Sequence, residues 1–173
     1  MSELVTPEYR ATLRAMHATR VWGKNGHWAI NDVMPLYEAL GCKSMLDYGS
    51  GVESLREALA PAIAVACYDP GVIGREAPPE PADFVVCTDT LEHVEPHLLG
   101  NVLDHISSLT IKAAYLTIGL TRAKRTLPDG RNAHLIIQPA DWWLPQLAAR
   151  WHVTRTDAGQ KSLKAWLRAE SPS

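Results

Sequence analysis

Short apolar runs set between segments of helical period narrow the folds open to this chain more than any other feature. Residues 62–68 (AIAVACY) and 84–88 (FVVCT) are almost continuously apolar, and 44–48 (SMLDY) and 113–118 (AAYLTI) are mostly so. Such runs, with no polar alternation, predict strands buried on both faces of a parallel sheet. The period changes between them. Thr6-Pro7-Glu8 offers a capping hydroxyl, a first-turn proline and an acid, and Tyr9, Leu13 and Met16 then share one helical face. A second helix is expected over 32–40, with Val33, Leu36 and Leu40 inward, and another from Ser54 to Pro61. Pro96 opens a helix with Leu99, Val102, Leu103 and Ile106 inward, and Pro139 opens one bent at Pro145. Strands separated by helices predict an α/β, doubly wound, mostly parallel sheet of six or seven strands. The last two expected strands, 152–156 and 162–167, lie too close together for a helical crossover and predict a C-terminal antiparallel hairpin.

Composition excludes several classes. The chain has 173 residues, 46% of them hydrophobic and 21% charged, enough for one domain with its own core. A net charge of −2 supplies no general attraction to nucleic acid or anionic membrane, although a nucleic-acid substrate stays open. No apolar run reaches the roughly 18 residues of a membrane span. The start MSELVTPEYR carries acid and lacks the apolar segment of a signal peptide, so a cytoplasmic protein is expected. Cys42, Cys67 and Cys87 are odd in number and far apart, and read as reduced core thiols.

Asp47-Tyr48-Gly49-Ser50-Gly51 stands where an apolar strand turns into a helix. In an open α/β sheet, ligands bind beyond the carboxyl ends of the strands, and glycines there let backbone approach them closely. The segment nearly fits the dinucleotide fingerprint, but Asp47 and Glu53 would repel a pyrophosphate. They would welcome a ligand bearing an ammonium and a sulfonium, which favours S-adenosylmethionine over NAD. Tyr68-Asp69-Pro70 follows the next strand, 22 residues after Asp47, where a carboxylate can accept from both ribose hydroxyls.

LDYGSG, CYDPG and FVVCTDTLEHVEP together resemble motifs I, II and IV of the class I S-adenosylmethionine-dependent methyltransferases, particularly the small methyltransferase-domain proteins of bacteria and phages. The resemblance runs from about Ser44 to Leu167. It implies a Rossmann-like methyltransferase fold, with 1–43 as an N-terminal helical lid and 44–170 as one compact cofactor-binding core. By the same implication Asp47, Gly49 and Gly51 line the methionine end of S-adenosylmethionine, Asp69 with Pro70 holds the ribose, and Thr88 and Asp89 border the methyl group. The chain departs from the pattern at Glu53, which replaces the third glycine, and in the scant room for a third family strand between Asp69 and Phe84.

Methyl transfer from a sulfonium is an in-line displacement, in which an enzyme aligns the reactants and a base can take the acceptor's proton. His93 and Glu92, directly after the fourth family strand, are the candidate catalytic residues; packing or capping the following helix is the plainer role for His93. Asp89, Glu92 and His93 also resemble the metal set of the ubiquinone-pathway and small-RNA 2′-O-methyltransferases, with His134 as a fourth ligand, which implies a divalent cation such as Mg²⁺ or Mn²⁺. His93 and His97 stand four apart, but Pro96 and the lack of an HExxH order argue against zinc.

The segment 121–134 (TRAKRTLPDGRNAH) carries Arg122, Lys124, Arg125 and Arg131 against Asp129. Leaving the carboxyl end of a strand, it is expected to overhang the site. A charge run of this kind is usually a solvated loop; its functional reading is recognition of a carboxylate or phosphate by Arg122, Lys124 and Arg125. Trp22, Trp28, Trp142 and Trp143 flank it, and Trp143 is the candidate for stacking on a planar substrate. The expected activity is methyl transfer to O or N of a small anionic planar molecule, nucleotide or nucleic acid. The alternative is a catalytically silent S-adenosylmethionine-binding partner subunit.

Overall fold

The computed structural model describes residues 2–19 and 26–170. Six strands form one sheet: β1 (Met45–Tyr48), β2 (Val65–Tyr68), β3 (Ala82–Thr88), β4 (Thr110–Gly119), β5 (Trp151–Ala158) and β6 (Ser162–Ala169). Their order is β2-β1-β3-β4-β6-β5. The first four run parallel, and β6 pairs antiparallel with both β4 and β5. The chain passes from β1 to β2 on one side and then to β3 on the other. That reversal puts the switch point, where ligands bind in such sheets, at the carboxyl ends of β1 and β3.

Helices cover both faces. They are α1 (Pro7–Thr19), α2 (Ile30–Ala39), α3 (Ser54–Leu59), α4 (Leu99–Leu109) and α5 (Ala140–Ala148). Leu99, Val102, Leu103 and Ile106 of α4 recur at helical spacing and bury one stripe, which packs with Trp143 and Leu147 of α5 against Leu46, Val85 and Leu116 of the sheet. On the other face Val33 and Tyr37 of α2 and Leu55 of α3 pack on Phe84, Val86 and Tyr115. All of β1 and most of β3 are buried, as their mostly apolar character requires.

Two expectations need correction. The run 62–68 is not a strand buried on both faces: only Val65–Tyr68 is strand, and it lies at the sheet edge with Ala62, Ala64 and Ala66 exposed. An alanine methyl exposes little apolar area, so the run can be apolar in composition without being core. Cys67, on that edge strand, is correspondingly only half-buried, whereas Cys42 and Cys87 are buried thiols. Trp143 is not a stacking surface, because its side chain is 0% exposed within the α4–α5 core. Trp28 is largely exposed and Trp142 partly so, and Trp22 lies outside the described residues.

The first helix belongs to neither core. Its cap is the expected one, with Thr6 Oγ1 accepting from Tyr9 N–H across 3.2 Å. Val5 and Tyr9 pack on Leu127 and Ala133 of the β4–α5 connection. Thr6 also donates from its backbone N–H and its hydroxyl to the two oxygens of Glu95, both at 2.8 Å, and Tyr9 Oη donates to the His93 carbonyl at 2.9 Å. These contacts hold α1 over the segment that follows β3. Among the described residues, no helix is long and apolar enough to cross a membrane.

Candidate active site

The β1–α3 loop is shaped by its neighbours as much as by its own glycines. Gly49 takes a φ of +80°, and a Cβ there would stand 2.3 Å from Thr90 Oγ1, so the loop and the β3 end meet only because this residue has no side chain. Gly49 and Ser50 donate backbone N–H groups to the Tyr68 carbonyl at 2.7 and 3.1 Å, and Gly51 N–H donates to Asp69 Oδ2 at 3.0 Å. Glu53, standing where the family pattern has a third glycine, adopts φ 64°. Arg75 at 2.8 Å and Arg56 at 3.0 Å hold it there, and chiefly the Arg75 hydrogen bond draws its carboxyl down to about 2. Replacing the glycine therefore keeps the left-handed turn and anchors it by ion pairs.

Beside this loop Asp47 is 3% exposed. Burial first, then the charges of Asp69 and Glu53, push its carboxyl up to about 7. No Lys or Arg pairs with it among the described residues. Such an acid is poised for a cationic ligand. It opens onto a cavity of about 560 Å³, which Gly49, Gly51, Asp69 and Pro70 also line.

The same cavity continues across the sheet to the end of β3. Thr88 and Asp89 line it, the latter at φ 49° and tied to Thr117 Oγ1 at 3.1 Å. Beyond them Glu92 is 1% exposed; its Oε1 accepts from Gly119 N–H at 2.7 Å, while Oε2 is buried with no hydrogen-bond partner. Burial, reinforced by the charge of Asp89, pushes Glu92 up to about 8. His93 donates from Nδ1 to the Ala133 carbonyl at 2.7 Å, which makes Nε2 its basic nitrogen. Burial pushes this imidazole down to about 4, so it is neutral at neutral pH. His134 similarly gives its Nδ1 hydrogen to the Thr121 carbonyl, and its ring meets that of His93 edge-on with centroids 4.9 Å apart.

Glu92, His93 and His134 present ligand atoms within 4.8 Å of one another. Asp89 does not join them, so the four-residue set implied by the resemblance is three residues here. Gly119 makes the convergence possible, since a Cβ on it would lie 2.6 Å from Glu92 Oε1 and 2.7 Å from His134 Cε1. Sequence reasoning missed Gly119, although a glycine ending an apolar strand is a signal of close approach. It also missed Tyr9 and Lys161, which line the cavity from α1 and from the β5–β6 turn. Arg122, Lys124 and Arg125 line it as well; Trp28, Trp142 and Trp143 do not.

Comparison with solved structures agrees with the topology. The 1,6-didemethyltoxoflavin N1-methyltransferase of Burkholderia thailandensis, solved with bound 1,6-didemethyltoxoflavin and S-adenosylhomocysteine, superposes with a TM-score of 0.64 at 18% identity, over 99% of this chain and 93% of that one. Magnesium protoporphyrin IX methyltransferase from Synechocystis PCC 6803 gives 0.60 at 17% identity, over 98% and 90%. The fold is that of the class I S-adenosylmethionine-dependent methyltransferases. The DhpI–SAM–HEP complex gives 0.60 at 16% identity, over 97% and 99%, so this methyltransferase fold is spanned almost end to end. Of an O-methyltransferase family protein from Burkholderia thailandensis, by contrast, the chain spans 59%, with a TM-score of 0.55 at 12% identity. No family model matches the sequence. No curated protein matches it either.

Proposed function

We propose that this protein is an S-adenosylmethionine-dependent methyltransferase acting on O or N of a small anionic substrate. One observation carries the reading: the buried, unpaired Asp47 and the glycine loop open into the same cavity as Glu92, His93 and His134. The residues fit the cofactor, because Asp47 has no paired cation among the described residues and the loop offers bare backbone at Gly49. S-adenosylmethionine bound there would supply an electrophilic methyl group on a sulfonium. Asp47 would hold its positive methionine end, and Asp69 would accept from the ribose.

The residues beyond it suit proton removal. His93, held by Ala133 in the tautomer with a basic Nε2, would take the proton as the acceptor attacks. The low basicity that burial imposes on this imidazole suits an acceptor that is itself readily deprotonated. Val5 and Tyr9, packed on Leu127 and Ala133 of the β4–α5 connection, wall one side of this end of the cavity. A silent partner subunit would have no need of the Glu92–His93–His134 convergence. The planar part of the expectation rested on Trp28, Trp142 and Trp143, which do not line the cavity; Tyr9 and Tyr48 do.

A divalent cation is the second reading, favoured by the buried and unpartnered Glu92 Oε2 beside two imidazoles whose Nδ1 atoms are both bonded to carbonyls. Metal-bound histidines are oriented in that way. Glu92, His93 and His134 would hold the ion, which would polarise the acceptor oxygen.

Titration calorimetry with S-adenosylmethionine, S-adenosylhomocysteine and NAD tests the cofactor assignment. Binding of the first two and not the third is expected; tight NAD binding alone overturns it. Transfer of labelled methyl to a library of anionic metabolites, with and without EDTA, tests turnover and the metal. His93→Ala should lower kcat and leave cofactor affinity near that of the wild type.

A further inference from the structure

The strand order lines up three chemistries along one edge of the sheet. Asp47 lies one residue before the end of β1, the Glu92–His93 segment follows β3, and Gly119 ends β4 beside β6. Gly119 pairs with Ser162, and Leu120 N–H donates to the Lys161 carbonyl at 2.8 Å, so the β5–β6 turn is fastened to the start of the 121–134 segment. Arg122 and Lys124 come from that segment and Lys161 from the turn, and all three line the cavity. None of them takes part in an ion pair among the described residues. Of the nearby acids, Asp129 is bonded to Arg131 at 2.7 Å, Glu95 to Thr6, Asp89 to Thr117 and Glu92 through one oxygen to Gly119 N–H, and none of them is ion-paired with these three cations. A chain with a net charge of −2 thus concentrates three unneutralised cations, from two separate loops, at one end of one cavity.

We propose that Lys161, Arg122 and Lys124 form an oxyanion subsite that orients the methyl acceptor. The proposal rests on the methyltransferase reading and adds the direction in which the substrate lies. With strands about 4.8 Å apart, three spacings separate β1 from β6, so the subsite stands on the order of 14 Å from Asp47, with His93 between them. A substrate seated this way places its carboxylate or phosphate over β4 and β6 and its acceptor atom over β3. Lys161 is then a specificity residue: it touches the charged group and not the reacting atoms. Salt weakens the attraction, because the three side chains are exposed.

The test uses phenyl phosphate, benzoate, inorganic phosphate and phenol as probes, titrated into the full chain loaded with S-adenosylhomocysteine. Phenyl phosphate or benzoate should bind and weaken as salt is added, and phenol should bind far less. Inorganic phosphate against acetate shows whether the site prefers the dianion. Lys161→Ser, Arg122→Ser and Lys124→Ser should each weaken the anionic probe roughly two- to fivefold, the range of exposed ion pairs, and the triple variant about tenfold or more. Affinity for S-adenosylhomocysteine should stay within about twofold of wild type, the scale of a distant surface substitution. Equal binding of phenol and phenyl phosphate overturns the subsite, and so does an anionic probe unaffected by the triple variant. Loss of S-adenosylhomocysteine binding in the variants would reassign the cations to the cofactor. Should wild type fail to bind S-adenosylhomocysteine at all, the methyltransferase reading falls, while phosphate titration of the unloaded chain still decides the subsite.

Discussion

Gly51 N–H donates to Asp69 Oδ2 across 3.0 Å, so the acid just after the second strand holds the glycine loop that follows the first. Its other oxygen accepts from Gly71 N–H at 2.9 Å, and the side chain is buried. An acid after a strand reads from sequence as a turn residue or a ribose ligand, whose removal leaves the unliganded chain unharmed. The structure reverses that expectation. Asp69→Ala strands two backbone donors, each costing about 1–3 kcal/mol if it stays buried without an acceptor. Urea unfolding without cofactor should show a clear loss of stability, and cofactor affinity should fall as well. Unchanged unfolding alongside lost affinity would confine Asp69 to ligand binding.

The sheet and its hairpin were legible because apolar runs and turn lengths are local signals. The tight approach of Gly49 to Thr90 was legible only as a glycine, since its cause lies beyond the end of another strand. Glu92, His93 and His134 could be named from the chain, but not the exclusion of Asp89, which is decided by its own φ of 49° and by Thr117. Lys161 carries no sequence signal. It reaches the site through the β4–β6 register, a pairing across more than forty residues. The Trp142-Trp143 pair shows the converse. Two aromatic neighbours on a helix look alike in sequence, and only the helix's azimuth decides which is core.

Burial of Asp47 predicts a pH dependence of definite sign. Its carboxyl ionises near 4 in the unfolded chain, about the model-peptide value, and at about 7 in the folded one. Between those values the folded state holds the extra proton, so this residue's contribution to stability falls as pH rises and levels off above about 7. Glu92 extends the decline to about pH 8. His93, pushed down to about 4, works in the opposite sense, adding stability as pH rises towards its unfolded value near 6.5. Urea midpoints of wild type and Asp47→Asn, compared from pH 5 to 8, separate these effects. Wild type should lose ground to the variant as pH rises to about 7. A constant difference would show that Asp47 ionises normally.

The tryptophan pair predicts a division between stability and surface. Trp143 is 0% exposed and Trp142 is 39% exposed. Trp143→Ala should destabilise by about 3–5 kcal/mol, the usual cost of emptying a large aromatic site. Trp142→Ala should change stability by less than about 1 kcal/mol and leave substrate KM unaltered, since the ring does not line the cavity. A KM raised severalfold by Trp142→Ala would mean that the indole swings onto the substrate.

Gly119 offers the sharpest probe of the reacting end of the cavity. It is not in the left-handed region, so alanine is acceptable to its backbone, and the conflict is purely one of space. The added methyl would meet Glu92 Oε1 at 2.6 Å and His134 Cε1 at 2.7 Å. Both partners are pinned, Glu92 by Gly119 N–H and His134 by the Thr121 carbonyl, so neither can yield without losing a hydrogen bond. Overpacking of this kind costs about 1–3 kcal/mol, which a folded chain can survive. A displacement approaching 1 Å in a positioned group can cost about a hundredfold in rate. Gly119→Ala should therefore remain folded by circular dichroism, bind S-adenosylhomocysteine within about threefold of wild type, and lose about tenfold or more of kcat. Asp47 and the glycine loop lie two strands away, which is why cofactor affinity is spared. Full turnover in this variant would show that the exact placement of Glu92 and His134 does not matter to the reaction, and that His93 alone serves it.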